Sequence, residues 1–249
     1  EDSEVQKKAL QEFDRMVEEL RKVGIEVLVI DDSKEPYTPD SIFPNNWFST
    51  HIDGTFCLYP MEAQTRRLER DPKIISEIKN HISLKRTLDF SEFEQENKFL
   101  EGTGSLILDH EYKIAYASVS SRTNEEVLDA WAKAIDFETV KFHSFDENGL
   151  AIYHTNVLMC LGDKFAVICL ESIKDENERK SVTEKLHQTN KEIVEISFEQ
   201  MSKFAGNMLL LQNKTGENAQ IPRTSPNKSM IHCTVVWAAV LARAPAPSK

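Results

Sequence analysis

Ser105-Leu-Ile-Leu-Asp109 is followed, after three residues, by Lys113-Ile-Ala-Tyr-Ala117. The same strand–turn–strand pattern returns as Asn156-Val-Leu-Met-Cys160 and Lys164-Phe-Ala-Val-Ile-Cys169. An earlier copy runs from Asn46-Trp-Phe-Ser-Thr-His51 to Gly54-Thr-Phe-Cys-Leu-Tyr59, and Asn207-Met-Leu-Leu-Leu-Gln212 opens a fourth. The openings at Ser105, Asn156 and Asn207 are about 51 residues apart, a period in the range of arrays and propellers. Just ahead of the copies lie Pro44-Asn45-Asn46, Glu101-Gly-Thr-Gly104, His154-Thr155-Asn156 and Ala205-Gly206-Asn207. A unit of this size cannot bury its own apolar face and has to stack on its neighbours. Stacked about an axis, these ends converge, and a carboxylate, an imidazole and several amides then share one place.

The repeats argue for one domain within the 249 residues, and 40% hydrophobic residues suffice for a core. A formal net charge of -11 disfavours nucleic acid and membrane surfaces as partners. It is compatible with a cationic small substrate and equally with a merely soluble surface. No apolar run is long enough to span a bilayer. The first residues, Glu1 to Val5, are unlike a signal peptide, so a cytoplasmic protein is expected. The cysteines, Cys57, Cys160, Cys169 and Cys233, have no CxxC spacing, and three lie in strand patterns as buried thiols. His51, His81, His110, His143, His187 and His232 are scattered and read as surface or structural, so no metal site is expected. Neither a phosphate loop nor a full dinucleotide fingerprint is present, and no cofactor is expected.

Val5, Leu10, Phe13, Met16, Val17 and Leu20 predict a helix that Gly24 ends, and 25–30 reads as a buried strand. A helix with no strand ahead of it suggests that further N-terminal sequence belongs to the fold. Asp53-Gly54 is a hairpin turn. Helices are expected at about 72–80, 124–135 and 176–188, each returning to a strand, at 87–90, 139–143 and 192–196. This alternation predicts mixed α/β sheets with helices outside. The scheme fails after Gln212. Residues 1–213 are expected to form the repeat domain and 214–249 a divergent, partly disordered segment, with an Ala/Pro-rich tail from Ala242.

His154 precedes a buried strand and has the one side chain that titrates near neutrality, suited to proton transfer. A hydrogen-bonded core histidine is the other reading. Glu101 holds the matching place one unit earlier, beside two glycines that would let backbone approach a ligand. A glycine turn with a solvated glutamate fits the same residues. Asp40, Asn45 and Asn46 offer a carboxylate and amides to a planar multi-donor cation, or they make turns. Arg122 suits a substrate carboxylate, or it is a surface arginine.

Five segments carry a resemblance: Pro39-Asp-Ser-Ile-Phe-Pro-Asn-Asn-Trp-Phe-Ser49, Leu100-Glu-Gly-Thr-Gly-Ser-Leu-Ile-Leu-Asp109, Ser121-Arg-Thr-Asn124, Tyr153-His-Thr-Asn-Val157 and Phe204-Ala-Gly-Asn-Met208. In order and spacing they resemble the guanidino-group-modifying superfamily of amidinotransferases and arginine deiminases, nearest to its citrulline-utilisation-type branch. The resemblance implies a pentein-type α/β propeller of pseudo-symmetric ββαβ units, here incomplete in the fifth. It implies a hydrolase or amidinotransferase acting on a guanidino or ureido small molecule through a cysteine thiolate and a histidine, in a protein that can pair as a homodimer. By motif, His154 looks like the acid/base, Glu101 like the acid of the Glu-Gly-x-Gly segment and Asp40 like the acid of the first unit. Asn46 and Asn156 stand where deiminases often carry aspartates, and Ser120 or Ser121 stands for a further catalytic glutamate, which points to a less charged, ureido-like substrate. The family's nucleophile sits in a glycine-rich C-terminal segment. Cys233 follows Phe204 by about 29 residues within Met230-Ile-His-Cys-Thr-Val-Val236, which does not match. Weak or lost activity is therefore expected. A propeller retained for binding or regulation, or a fragment without function, is the alternative.

Overall fold

The computed structural model describes residues 2–32, 35–211 and 238–243. Helix α1 (Asp2–Lys22) buries Phe13, Val17 and Leu20 against Ile25 and Val27. Gly24 at φ +84° reverses the chain into strand β1 (Glu26–Asp31), as a left-handed position after a helix favours.

Three units of one construction follow. Each opens on a single helical turn, runs through two antiparallel strands, and returns by a helix to a third strand parallel to the second. The first has the turn Pro44–Asn46, β2 (Phe48–Thr50), β3 (Thr55–Leu58), α2 (Gln64–Arg67), α3 (Pro72–His81) and β4 (Arg86–Asp89). A 3-10 segment, Ser91–Glu96, leads to the second, with α4 (Gly102–Ser105), β5 (Ile107–Asp109), β6 (Ile114–Ser118), α5 (Glu125–Ile135) and β7 (Glu138–Phe142). The third has α6 (Thr155–Leu158), β8 (Met159–Leu161), β9 (Phe165–Ile168), α7 (Glu176–Gln188) and β10 (Glu192–Glu195), with α8 (Phe198–Ser202) after it.

Register repeats from unit to unit. Ser49 faces Cys57, Leu108 faces Ala115 and Cys160 faces Val167 across the antiparallel pairs. The middle strands lie under a helix on one side and core on the other, so β3 and β6 are buried along their whole length. The returning helices begin at side-chain caps, Asp71, Asn124 and Asp175, each accepting from backbone N–H groups of the first turn. The α5 stripe of Val127, Leu128, Trp131 and Ala132 packs on Ala115 and Ala117 of β6. Among the described residues no helix is long and apolar enough to cross a membrane.

Two expectations about the end of the chain change. Residues 207–211 open no strand; Leu210 and Leu211 are buried against α1 and β1 without a hydrogen-bonded strand neighbour among the described residues. A strand, β11 (Ala238–Arg243), instead pairs in parallel with β1, with Ala238 opposite Glu26. It lies where the sequence showed no matching unit, and it includes Ala242 and Arg243 of the expected tail. Pairing with a strand from the other end of the chain leaves no local pattern to read. The rest of 214–249, with Cys233 and the expected gap in a fifth unit, lies outside the described residues.

A buried ion pair fastens the second unit to the third. Lys191 Nζ lies 3.1 Å from Asp109 Oδ2, donates to the Asp163 carbonyl at 2.9 Å and sits over the Tyr112 ring. Lys191→Met would strand a buried carboxylate, which costs ~3–5 kcal/mol. Urea unfolding should show that loss, and the double change Lys191→Met with Asp109→Leu should recover much of it. An unchanged midpoint in the single variant would remove this fastener from the account.

Candidate active site

The helical turns that open the units touch one another, and glycine makes the approach feasible. Gly102 has φ +45°, and a Cβ there would strike the Asn45 carbonyl oxygen. A Cβ on Gly104 would overlap the Asn46 amide and come within 2.9 Å of His154 Cε1. At Gly206 it would lie 2.8 Å from the Leu158 carbonyl carbon. The Glu-Gly-Thr-Gly segment is therefore glycine-rich because backbone or side chains of its neighbours press on it from both sides.

Glu101 and His154 meet at this junction. His154 Nε2 lies 2.8 Å from Glu101 Oε2, between residues 53 apart in sequence. The other carboxylate oxygen accepts the Glu62 N–H at 3.0 Å, and Arg122 Nη1 lies 3.6 Å from Oε2. Glu101 is 1% exposed. Burial pushes its pKa up, but the His154 hydrogen bond, the Glu62 N–H and the nearby His154 and Arg122 charges outweigh burial and hold it below the ordinary carboxylate value. An ionised carboxylate only accepts, so Nε2 carries a proton and Nδ1 is the nitrogen left for proton exchange.

His154 borders a cavity of about 1000 Å³, whose wall also carries Asp40, Asn45, Asn46, Arg122, Tyr153 and Asn156. The structure thus brings seven of the eight residues singled out from sequence to one region, with Glu101 just behind the imidazole rather than on the wall. The eighth, Cys233, lies outside the described residues. Asp40 is exposed at the edge, while Asn156 is half-buried. Asn45 Nδ2 donates to Thr103 Oγ1 at 3.2 Å. The Asn46 amide is engaged at both ends: it donates to the Glu101 carbonyl at 3.4 Å and accepts from Arg66 Nη1 at 3.3 Å. Asn46 therefore ties the first unit to the second. The cavity continues past Ile107, Cys160 and Leu161 toward the Asp109–Lys191 pair.

Four residues of this region gave no separate signal in the sequence. Glu62 holds Glu101 through its N–H and Arg122 Nε through its carboxylate, at 3.0 Å each. Arg66 is buried and fixed by Glu69 at 2.7 Å and by the Phe43 carbonyl at 2.8 Å. In sequence 63–70 is charged and helical, and nothing local marks Arg66 as the residue turned inward. Tyr153 is half-exposed, with its ring 4.8 Å from the His154 ring and 4.7 Å from the Arg122 guanidinium carbon. Cys57, Cys160 and Cys169 are buried, and burial pushes each thiol up to about 11. None of them is a ready thiolate.

A sequence model of the family described as N,N dimethylarginine dimethylhydrolase, eukaryotic, matches residues 1–232. Among curated proteins none matches the chain by sequence. In three dimensions it is similar to apo ArgZ, an arginine dihydrolase from the ornithine-ammonia cycle in cyanobacteria, with a TM-score of 0.67 and 16% identity over 83% of this chain. The chain spans 31% of the length of that protein. It is similar to the N-terminal domain of ArgZ bound to product, with a TM-score of 0.65 and 18% identity over 84% of this chain and 74% of that one. A dimethylarginine dimethylaminohydrolase, as an adduct with 4-chloro-2-hydroxymethylpyridine, gives a TM-score of 0.56 and 14% identity over 80% of this chain and 73% of that one. At these identities the likeness establishes the α/β fold.

A carboxylate whose pKa falls on folding stabilises the fold above its unfolded value, here near 4.5, and that contribution is lost as pH falls through the lower folded value. Glu101→Gln should therefore be less stable than the parent near pH 7, with the gap closing as pH falls through the lowered folded value. Urea midpoints across that range check it, and a gap independent of pH would contradict it.

Proposed function

The chain belongs to the family described as N,N dimethylarginine dimethylhydrolase, eukaryotic, and on that premise we propose that it hydrolyses a guanidino small molecule, arginine or an N-methylated arginine, beside His154. The observation that carries this reading is the buried Glu101–His154 pair bordering a cavity that also presents Arg122 and the Asn45 and Asn156 amides. The similar structures, of an arginine dihydrolase and a dimethylarginine dimethylaminohydrolase, support the substrate class.

The roles follow from chemistry. Arg122 faces the cavity and suits the carboxylate of an amino-acid substrate, while Asp40 at its edge suits a cation. A thiolate attacks the guanidino carbon, and the C–N bond to the departing amine breaks as that nitrogen takes a proton from His154. Water then adds to the thiouronium carbon and gives its proton to His154. Collapse releases the ureido product and restores the thiolate. Glu101 steadies the imidazolium in both steps, as the partner of a general acid/base does. Burial raises the thiols of Cys57, Cys160 and Cys169 to about 11, and Cys233 is the cysteine of this sequence proposed to supply the thiolate.

Cys233→Ser should abolish release of ammonia or amine, and iodoacetamide should label Cys233 fastest. His154→Asn should remove turnover in a protein that still folds, with a melting temperature lowered by the loss of Glu101's nearest partner. A collapse of the fold in His154→Asn would make that residue structural. The setting of Cys233, with no glycine before it in Met230-Ile-His-Cys, favours one second reading: a propeller that binds the guanidine without turning it over. Ligand binding by calorimetry with no turnover at any pH would select it.

A further inference from the structure

Glu62 stands at a crossing point that neither the family nor the proposed chemistry assigns. Its N–H donates to Glu101 Oε1 at 3.0 Å, and its carboxylate accepts from Arg122 Nε at 3.0 Å. Its own carbonyl accepts from Arg67 Nη2 at 3.1 Å, which fixes the backbone from the far side. Arg122 is held on two further sides, by the Tyr153 ring at 4.7 Å and by Glu101 at 3.6 Å. The Arg122 backbone is fixed as well, since its carbonyl accepts from Ser105 Oγ at 2.8 Å and from the Glu101 N–H at 3.2 Å.

These contacts use Nε and one edge of a five-donor fork. A single bond at Nε leaves terminal nitrogens to meet a second carboxylate, the geometry that makes arginine a two-sided clamp. Arg122 is on the cavity wall, whereas Glu62 is not. The glutamate thus holds the guanidinium at Nε without itself lining the cavity, where it can orient the fork without standing in the way of a ligand. Both side chains are about a third exposed, 34% and 37%, so without this tether the long arginine has solvent-facing rotamers open to it.

We infer that Glu62 is a positioning residue: by holding Arg122 Nε it aims the guanidinium fork at the carboxylate of an amino-acid guanidine, and through its N–H it keeps Glu101 in line with His154. This rests on the reading that Arg122 receives a substrate carboxylate. Arg122 then distinguishes carboxylate-bearing guanidines from those without one, and Glu62 sharpens that preference.

The test uses the full chain and two probes, arginine and agmatine, the same guanidine without the carboxylate, titrated by calorimetry. Glu62→Ala should weaken arginine about two- to fivefold, the range expected for an exposed ion pair, and leave agmatine unchanged. Glu62→Gln, which keeps an acceptor for Nε, should restore most of the arginine affinity. An equal loss for both probes, or no loss for either, would overturn the inference. Tighter arginine binding in both variants would also overturn it, because Glu62 would then be a competitor for Arg122. If the parent protein binds neither probe, the guanidine-binding reading itself fails, and with it the role given to Glu62.

Discussion

Everything at this site depends on keeping one carboxylate charged in the interior. Glu101 is 1% exposed, and an isolated buried charge costs several kcal/mol unless it is paired and hydrogen-bonded. Its partners come from three places: His154 of the third unit, the Glu62 N–H of the first and Arg122 of its own. Satisfying that charge therefore aligns three units about one point. The same alignment gives His154 its tautomer and leaves Nδ1 for chemistry, so a requirement of stability and a requirement of catalysis are met by one set of contacts.

The second constraint is distance. Side chains at 102 and 104 would hold the first and second units apart, since a Cβ at either position meets backbone or amide atoms of the first unit. Close packing of the openings then permits the Asn46 bridge and the Glu101–His154 bond. Toward the other end of the cavity the Asp109–Lys191 pair joins the second and third units again. Between the two ion pairs lie β5 and β8, whose Ile107, Cys160 and Leu161 give the cavity an apolar middle. The inner groups are fixed by several bonds each, while Phe43, Tyr153 and Phe204 on the cavity's rim are exposed. That contrast suits a site that must hold its chemistry rigid and still admit a ligand.

Much of the architecture was legible because it rests on local rules. The helix stopping at Gly24, the hairpin at Asp53-Gly54 and the helix at about 124–135 each follow from a few neighbouring residues. The three unit openings were visible as glycine, asparagine and histidine ahead of apolar alternation. The fourth opening looked the same in sequence and is not a strand at 207–211, because a strand exists only where a neighbour supplies hydrogen bonds.

By itself the sequence determined the repeat, the α/β alternation and which residue types, a glutamate and a histidine one unit apart, stood at equivalent positions. Only the tertiary structure decided what each one faces. It set Glu101 behind the imidazole instead of on the cavity wall, engaged Asn46 at both ends, turned Arg66 inward from a charged helix, and placed Glu62 between two functional side chains. It also joined β1 to β11 from opposite ends of the chain. Caps, turns and periodicity are set by residues within a few positions of one another. The direction of a side chain and the closure of a sheet depend on partners tens to hundreds of positions away, and no local pattern records them.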